Sequence, residues 1–193
     1  FSWRGHKGAM AQNYNGSGAV TGIPHSLGQT PEMMWIKNES TSGTNWGVYH
    51  KDLSSGQVLN LNSSLAVTTD ATLFNSTAPG SDYFTVGTSN RTNTDGDRYR
   101  YILFASVDKI SKVGSYSGSD STTTVTVGFQ PRFLLVKRTD SSGNWLFVNT
   151  VKGWGSGNDD IRYLNNKTPQ SAVNVGAPTS TGFTLTGNNS DWN

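Results

Sequence analysis

The residues able to do chemistry are few and scattered. His6, His25 and His50 are the only histidines, Glu32 and Glu39 the only glutamates, and cysteine is absent. Without cysteine there is no disulfide, no thiol nucleophile and no thiolate zinc site. No two histidines stand at metal-ligand spacing, and no strained Gly-x-Ser-x-Gly turn presents a serine for acyl transfer. His25, just before Ser26-Leu27-Gly28, reads as a hydrogen-bonding residue of a turn. Glycoside hydrolysis would need two carboxylates about 5 to 10 Å apart. Asp70, Asp82, Asp95, Asp97, Asp120, Asp140, Asp159, Asp160 and Asp191 all fall in turn-like sequence and read as solvated acids.

Two segments hold more. Asn93, Asp95 and Asp97 offer oxygen donors at alternate positions, which a hard cation such as calcium accepts. The same Asp95-Gly96 pair is the commonest hairpin-turn signal, and no downstream glutamate completes a helical calcium loop. Trp154 lies between Gly153 and Gly155 in the loop KGWGSGNDD. A large ring between two glycines is hard to bury by local packing. Trp154, with Tyr163 and Asn158, is therefore the expected contact for a ligand or partner, since an exposed indole stacks on a sugar face or anchors a neighbouring chain. The other reading is a ring folded back on its own domain. Trp35, Trp46 and Trp145 stand among apolar neighbours and read as packing residues. The glycine-rich stretches at 16–18 and 153–157 lack the lysine of a phosphate loop.

The elements that must hold these residues are strands. The 193 residues are rich in Gly, Ser, Thr and Asn, with 33% hydrophobic and 15% charged residues and a formal charge of +2. Helix formers are scarce and turn formers abound. The charge excess is small and forms no basic cluster, so nucleic acid is not an expected partner. No apolar run reaches the roughly 20 residues of a spanning helix, so membrane insertion is not expected. Apolar runs such as MMWI at 33–36, YFTV at 83–86, WLFV at 145–148 and IRYL at 161–164 are separated by turn residues. Such spacing predicts a β-sandwich or barrel. From Arg98 to Ala105, Tyr99, Tyr101, Leu103 and Ala105 share one face of a strand.

The chain also repeats itself. Pro31 aligns with Pro131, Lys37 with Lys137, Asn45-Trp46 with Asn144-Trp145, and Phe84-Thr85-Val86 with Phe183-Thr184-Leu185. Upstream, Tyr14-Asn15-Gly16-Ser17 falls on Tyr116-Ser117-Gly118-Ser119. The expected fold is all-β, two tandem antiparallel β-sandwich repeats of jelly-roll or lectin-like type, each about 100 residues long. They divide as 1–107 and 108–193, with residues 1–7 read as the tail of a preceding unit. The second unit carries no counterpart of the strand at 98–105, so a strand from outside these residues is expected to complete it.

The combination of HSLGQTPEMMWIKN, NWGVYHK, LNLNSS, FTVGTSN and an aromatic strand ending in LFA resembles a repeat of tailed-phage proteins, above all marine and cyanobacterial phages. Those repeats are lectin-like β-sandwich modules of virion structural proteins such as tail or head fibres and capsid decorations. The resemblance implies a virion location, other virion proteins as partners, a homo-oligomer, and possible contact with a host-surface glycan. Assembly and adhesion without enzymatic chemistry and without a cofactor is the expected function. The alternative is a carbohydrate-binding module of an adhesin or a secreted polysaccharide-active enzyme. In a phage protein the sequons at Asn38, Asn62, Asn75, Asn90, Asn166 and Asn188 carry no message.

Overall fold

The computed structural model describes residues 8–169, 171–187 and 189–193. His6, the tail read at 1–7 and the sequon at Asn188 lie outside them. The chain is all-β, and every named strand pair is antiparallel. The strands are β1 (Ala9–Asn15), β2 (Thr21–Pro24), β3 (Met33–Asn38), β4 (Gly47–His50), β5 (Gln57–Asn60), β6 (Thr68–Thr69), β7 (Tyr83–Val86) and β8 (Arg98–Phe104). They continue as β9 (Thr123–Thr126), β10 (Phe133–Lys137), β11 (Trp145–Asn149), β12 (Asp159–Tyr163), β13 (Ser171–Val173), β14 (Pro178–Thr179) and β15 (Gly182–Leu185). One helical turn, α1 (Ala71–Phe74), is capped by Asp70, whose carboxylate accepts the Thr72 N–H at 3.1 Å.

The described residues form two compact units. The first holds residues 8–61, 67–107 and 111–114, and the second holds residues 62–66, 108–110 and 115–193. A single cut after Val107 therefore does not separate them, because short segments on either side of it belong to the other unit.

In the first unit six strands lie in the order β1-β8-β3-β4-β5-β6, beside a separate β2-β7 ladder. The alternation read at Arg98–Ala105 holds: Tyr99, Tyr101, Leu103 and Ala105 are all buried, and β8 sits between β1 and β3. Its inward side chains meet Met34 and Ile36 of β3, Ile23, Phe84 and Val86 of the smaller ladder, and Leu73 and Phe74 of α1. Burying each such side chain stabilises the fold by about 1.5 to 3 kcal/mol, so β8 is the largest single contributor to this sandwich-like core. Tyr14 of β1 stacks on Tyr99 with ring centroids 5.2 Å apart.

In the second unit the order is β10-β11-β12-β13, with a separate β14-β15-β9 sheet. Val136, Leu146, Val148 and Ile161 from the first sheet face Phe183 and Leu185 from the second. Among the described residues the second unit has no α-helical turn at the place of α1, and its short helix is a 3-10 turn at Thr150–Lys152. Trp154, Val175 and Trp192 supply apolar bulk from loops instead. Among the described residues β10 is an edge strand, whereas β3, which aligns with it, lies inside its sheet.

Candidate functional site

The polar side chains singled out by sequence are mostly occupied in holding the chain together. Asn93 is buried, and its carboxamide accepts the Ser17 N–H at 2.7 Å while donating to the carbonyls of Ala19 and Gly87 at 2.5 and 2.7 Å. Asp97 instead accepts from the Asn38 amide at 2.8 Å and the Thr41 hydroxyl at 3.0 Å, and Asp95 is exposed. Asn93 and Asp97 are thus engaged by different protein groups, and Gly96 between Asp95 and Asp97 takes a φ of 75°, as in a turn. No group of three His, Cys, Asp or Glu side chains suited to a metal occurs among the described residues.

The second unit repeats the tie at the aligned positions. The Asn193 carboxamide accepts the Ser119 N–H at 3.0 Å and donates to the Ser121 carbonyl at 2.7 Å. Ser17 and Thr21 hydroxyls are 2.6 Å apart in one unit, and Ser119 and Thr123 hydroxyls 3.0 Å apart in the other. The Tyr14 hydroxyl donates to the Thr92 carbonyl, and that of Tyr116 to the Trp192 carbonyl. Burial first, then its tyrosine neighbours, pushes the Tyr14 phenol far above its ordinary range, and burial does the same for Tyr116. Gly16 and Gly118 permit these ties by close approach. A Cβ at Gly16 would lie 2.0 Å from the Thr94 carbonyl oxygen, and one at Gly118 would lie 2.8 Å from backbone of Asn193.

Trp154 does not form the expected contact surface. It is 3% exposed, tilted against Phe183 with centroids 6.2 Å apart, and its indole N–H has no partner among the described residues. The ring is folded back into the core of its own unit, with Val148, Ile161, Phe183 and Leu185 in the same cluster. Tyr163 is half-buried, and burial, then Asp191 beside its hydroxyl, pushes its pKa up to about 12. Only Asn158 is exposed. Trp145 is buried and Trp46 and Trp35 are half-buried, with Trp35 edge-on to Phe104 at 4.8 Å.

The acids are not all solvated turn residues. Asp159 is fully buried in β12, and its carboxylate accepts the N–H groups of Gly155 at 2.9 Å and Val175 at 2.8 Å. Sequence offered only the weak cue that it stands next to the IRYL strand. Glu32 receives Lys51 at 2.7 Å and the Ser106 N–H at 2.7 Å. Burial raises its pKa, but Lys51 and Ser106 together outweigh that and hold it below the ordinary value. Glu39 pairs with Arg98 and Arg100.

The two described histidines hydrogen-bond to backbone. His25 Nδ1 accepts the Leu27 N–H at 3.4 Å with Nε2 3.3 Å from the Gly80 carbonyl, and His50 Nδ1 accepts the Asp52 N–H at 3.2 Å.

A cleft lies in the first unit, between the β4–β5 turn and α1. It encloses about 200 Å³ and is lined by Tyr49, Lys51, Gln57, Asp70, Phe74 and Ser76 with neighbouring small residues. That is below the roughly 300 to 1,000 Å³ of a ligand pocket that engulfs its ligand. Asp70 is the single carboxylate lining it, and that carboxylate caps α1 and meets Arg91 at 3.4 Å. Tyr49 stands edge-on to Phe74 at 5.9 Å. An aromatic wall with hydroxyls and amides suits shallow contact with a sugar ring, while one committed carboxylate is too few for the two-carboxylate route.

A family model described as a domain of unknown function, DUF7483, matches residues 5–193. No curated protein and no solved structure matches the chain.

Proposed function

The chain belongs to the DUF7483 family, and from that premise we propose that it is a structural module of a phage virion, part of a fibre or capsid decoration, acting in assembly and surface adhesion. The sequence resemblance to tailed-phage repeats supplies the setting. The observation that carries the reading is the polar tie made twice: Tyr14, Ser17 and Asn93 in one unit, and Tyr116, Ser119 and Asn193 in the other, are spent on fixing loops. Side chains so committed serve rigidity. Rigid β-modules in series hold contacts at a particle surface, and several weak contacts on one array add by avidity.

The test is to locate the chain on purified particles that carry it. Antibody labelling or a particle map should place it at an ordered surface position, and its absence from the particle fraction would overturn the proposal.

Glycan contact is the second reading, favoured by the cleft walled by Tyr49 and Phe74. A glycan array with the full chain should give signal that Tyr49→Ala removes. Binding unchanged in that variant would move the contact elsewhere.

A further inference from the structure

Asn15 is the only asparagine in the sequence followed by glycine, and Asp95 the only aspartate. In such a pair the glycine nitrogen can attack the side-chain carbon before it, because no Cβ screens the approach. The fold brings the two pairs together. The Gly16 N–H donates to the Asp97 carbonyl at 2.8 Å, and the Gly96 N–H donates to the Gly16 carbonyl at 3.1 Å. Asn15 ends β1 opposite Arg98 and is exposed, whereas Gly16 is buried. An exposed carboxamide thus stands beside a buried, hydrogen-bonded nitrogen. Gly16 cannot take a side chain, since a Cβ there would lie 2.0 Å from the Thr94 carbonyl oxygen. The second unit makes the same close approach at Gly118, where a Cβ would lie 2.8 Å from Asn193 backbone, but Ser117 precedes it. The geometry demands the glycine in both units and leaves the residue before it free.

We propose that Asn15 is a latent deamidation site whose gate is the hydrogen-bonded tie at the end of β1. Reaction starts when hydroxide takes the proton from the Gly16 nitrogen. The nitrogen then bonds to Asn15 Cγ, the Cγ–Nδ2 bond breaks, and Nδ2 takes up a proton and leaves as ammonia. Water opens the resulting cyclic imide at either carbonyl, giving aspartate or isoaspartate with one new carboxylate. In the closed fold the first step is blocked, because a buried N–H held by the Asp97 carbonyl does not meet hydroxide. It proceeds when residues 15–17 lift from residues 93–97, which also frees the Ser17 N–H from Asn93. Isoaspartate adds a methylene to the backbone before Gly16, so the close approach to Thr94 is not regained and the opening becomes permanent. Asp95 follows the same route only with its carboxyl protonated and water as the leaving group, so alkaline solution suppresses it. The inference rests on this juxtaposition and stands whether or not the chain is a virion component.

The full chain is held at mildly alkaline pH, folded and in denaturant above its unfolding midpoint. Mass spectrometry follows the peptide spanning Asn15 for the single mass unit that deamidation adds. The folded chain should convert at least about tenfold more slowly than the unfolded one. Exchange of the Gly16 N–H is measured alongside, since it begins with loss of the same proton. Deamidation should be slowed at least as much as that exchange, and below the midpoint both rates should rise together with denaturant. Asn93→Ala, which cuts the tie, should speed both by the same factor, and the denaturant series on the parent chain makes that comparison without a substitution. Asn15→Ser, which installs the residue of the second unit, should show no mass gain in that peptide. Deamidation as fast in the folded chain as in denaturant, deamidation slowed distinctly less than Gly16 exchange, or an undiminished gain in Asn15→Ser would overturn the proposal.

Discussion

One side-chain oxygen of Asp159 accepts the backbone N–H of Val175 at 2.8 Å, so a buried side chain in β12 fixes a loop sixteen residues further on. Its other oxygen holds Gly155, next to Trp154. Asp159→Ala removes two hydrogen bonds and leaves the buried Val175 N–H and the half-buried Gly155 N–H unmet, which costs about 3 kcal/mol. Denaturant unfolding should show that loss, and Asp159→Asn, which keeps one acceptor oxygen, should recover part of it.

Trp154→Ala should destabilise the second unit by about 3 to 5 kcal/mol, the usual cost of emptying a buried aromatic site. Trp154→Phe also removes an indole N–H that has no partner among the described residues, so its cost should be clearly smaller than that of alanine. Thermal unfolding of both variants checks the order. Neither should alter glycan-array binding, because the ring is not at the surface.

Asn93→Ala breaks four hydrogen bonds of a buried carboxamide, one of them a long contact from the Ser17 hydroxyl, and should cost about 2 to 3 kcal/mol. Asn193→Ala should cost less, since Asn193 is half-buried. Amide exchange separates the two. The Ser17 N–H should lose protection in the first variant and the Ser119 N–H in the second. Added calcium should raise the melting temperature of neither variant nor of the parent chain.

Burial lowers the pKa of His25 and of His50 from the ordinary 6.5, with the Gly80 carbonyl opposing it at His25 and Asp52 opposing it at His50. A base whose pKa falls on folding binds more protons in the unfolded chain. The stability tied to these two rings is therefore complete above 6.5, declines as pH falls through that value, and levels off below the folded pKa. Glu32 behaves as an acid with a lowered pKa, so its contribution is present above its ordinary 4.5 and disappears as pH falls through the folded value. Denaturation midpoints should drop between pH 7.5 and 5.5 and again below about 4. Replacing both His25 and His50 by glutamine should flatten the first drop only.

The sequence alone determined that the chain is all-β, which face of β8 turns inward, and that His25 serves a turn. These follow from local periodicity and turn chemistry, which neighbouring residues dictate. Tertiary structure decided the rest. Two flanking glycines point to an exposed Trp154, yet the ring packs against Phe183 in the core. Asp159 was read as a surface acid, yet its partners Gly155 and Val175 come from loops on either side of its strand. Asn93 carries the oxygen of a cation ligand and spends it on Ser17, whose position 76 residues away no local pattern reveals. Local sequence sets how a strand alternates. Burial of a loop side chain depends on which surfaces meet and what volume they leave, and that is fixed only when the sheets pack.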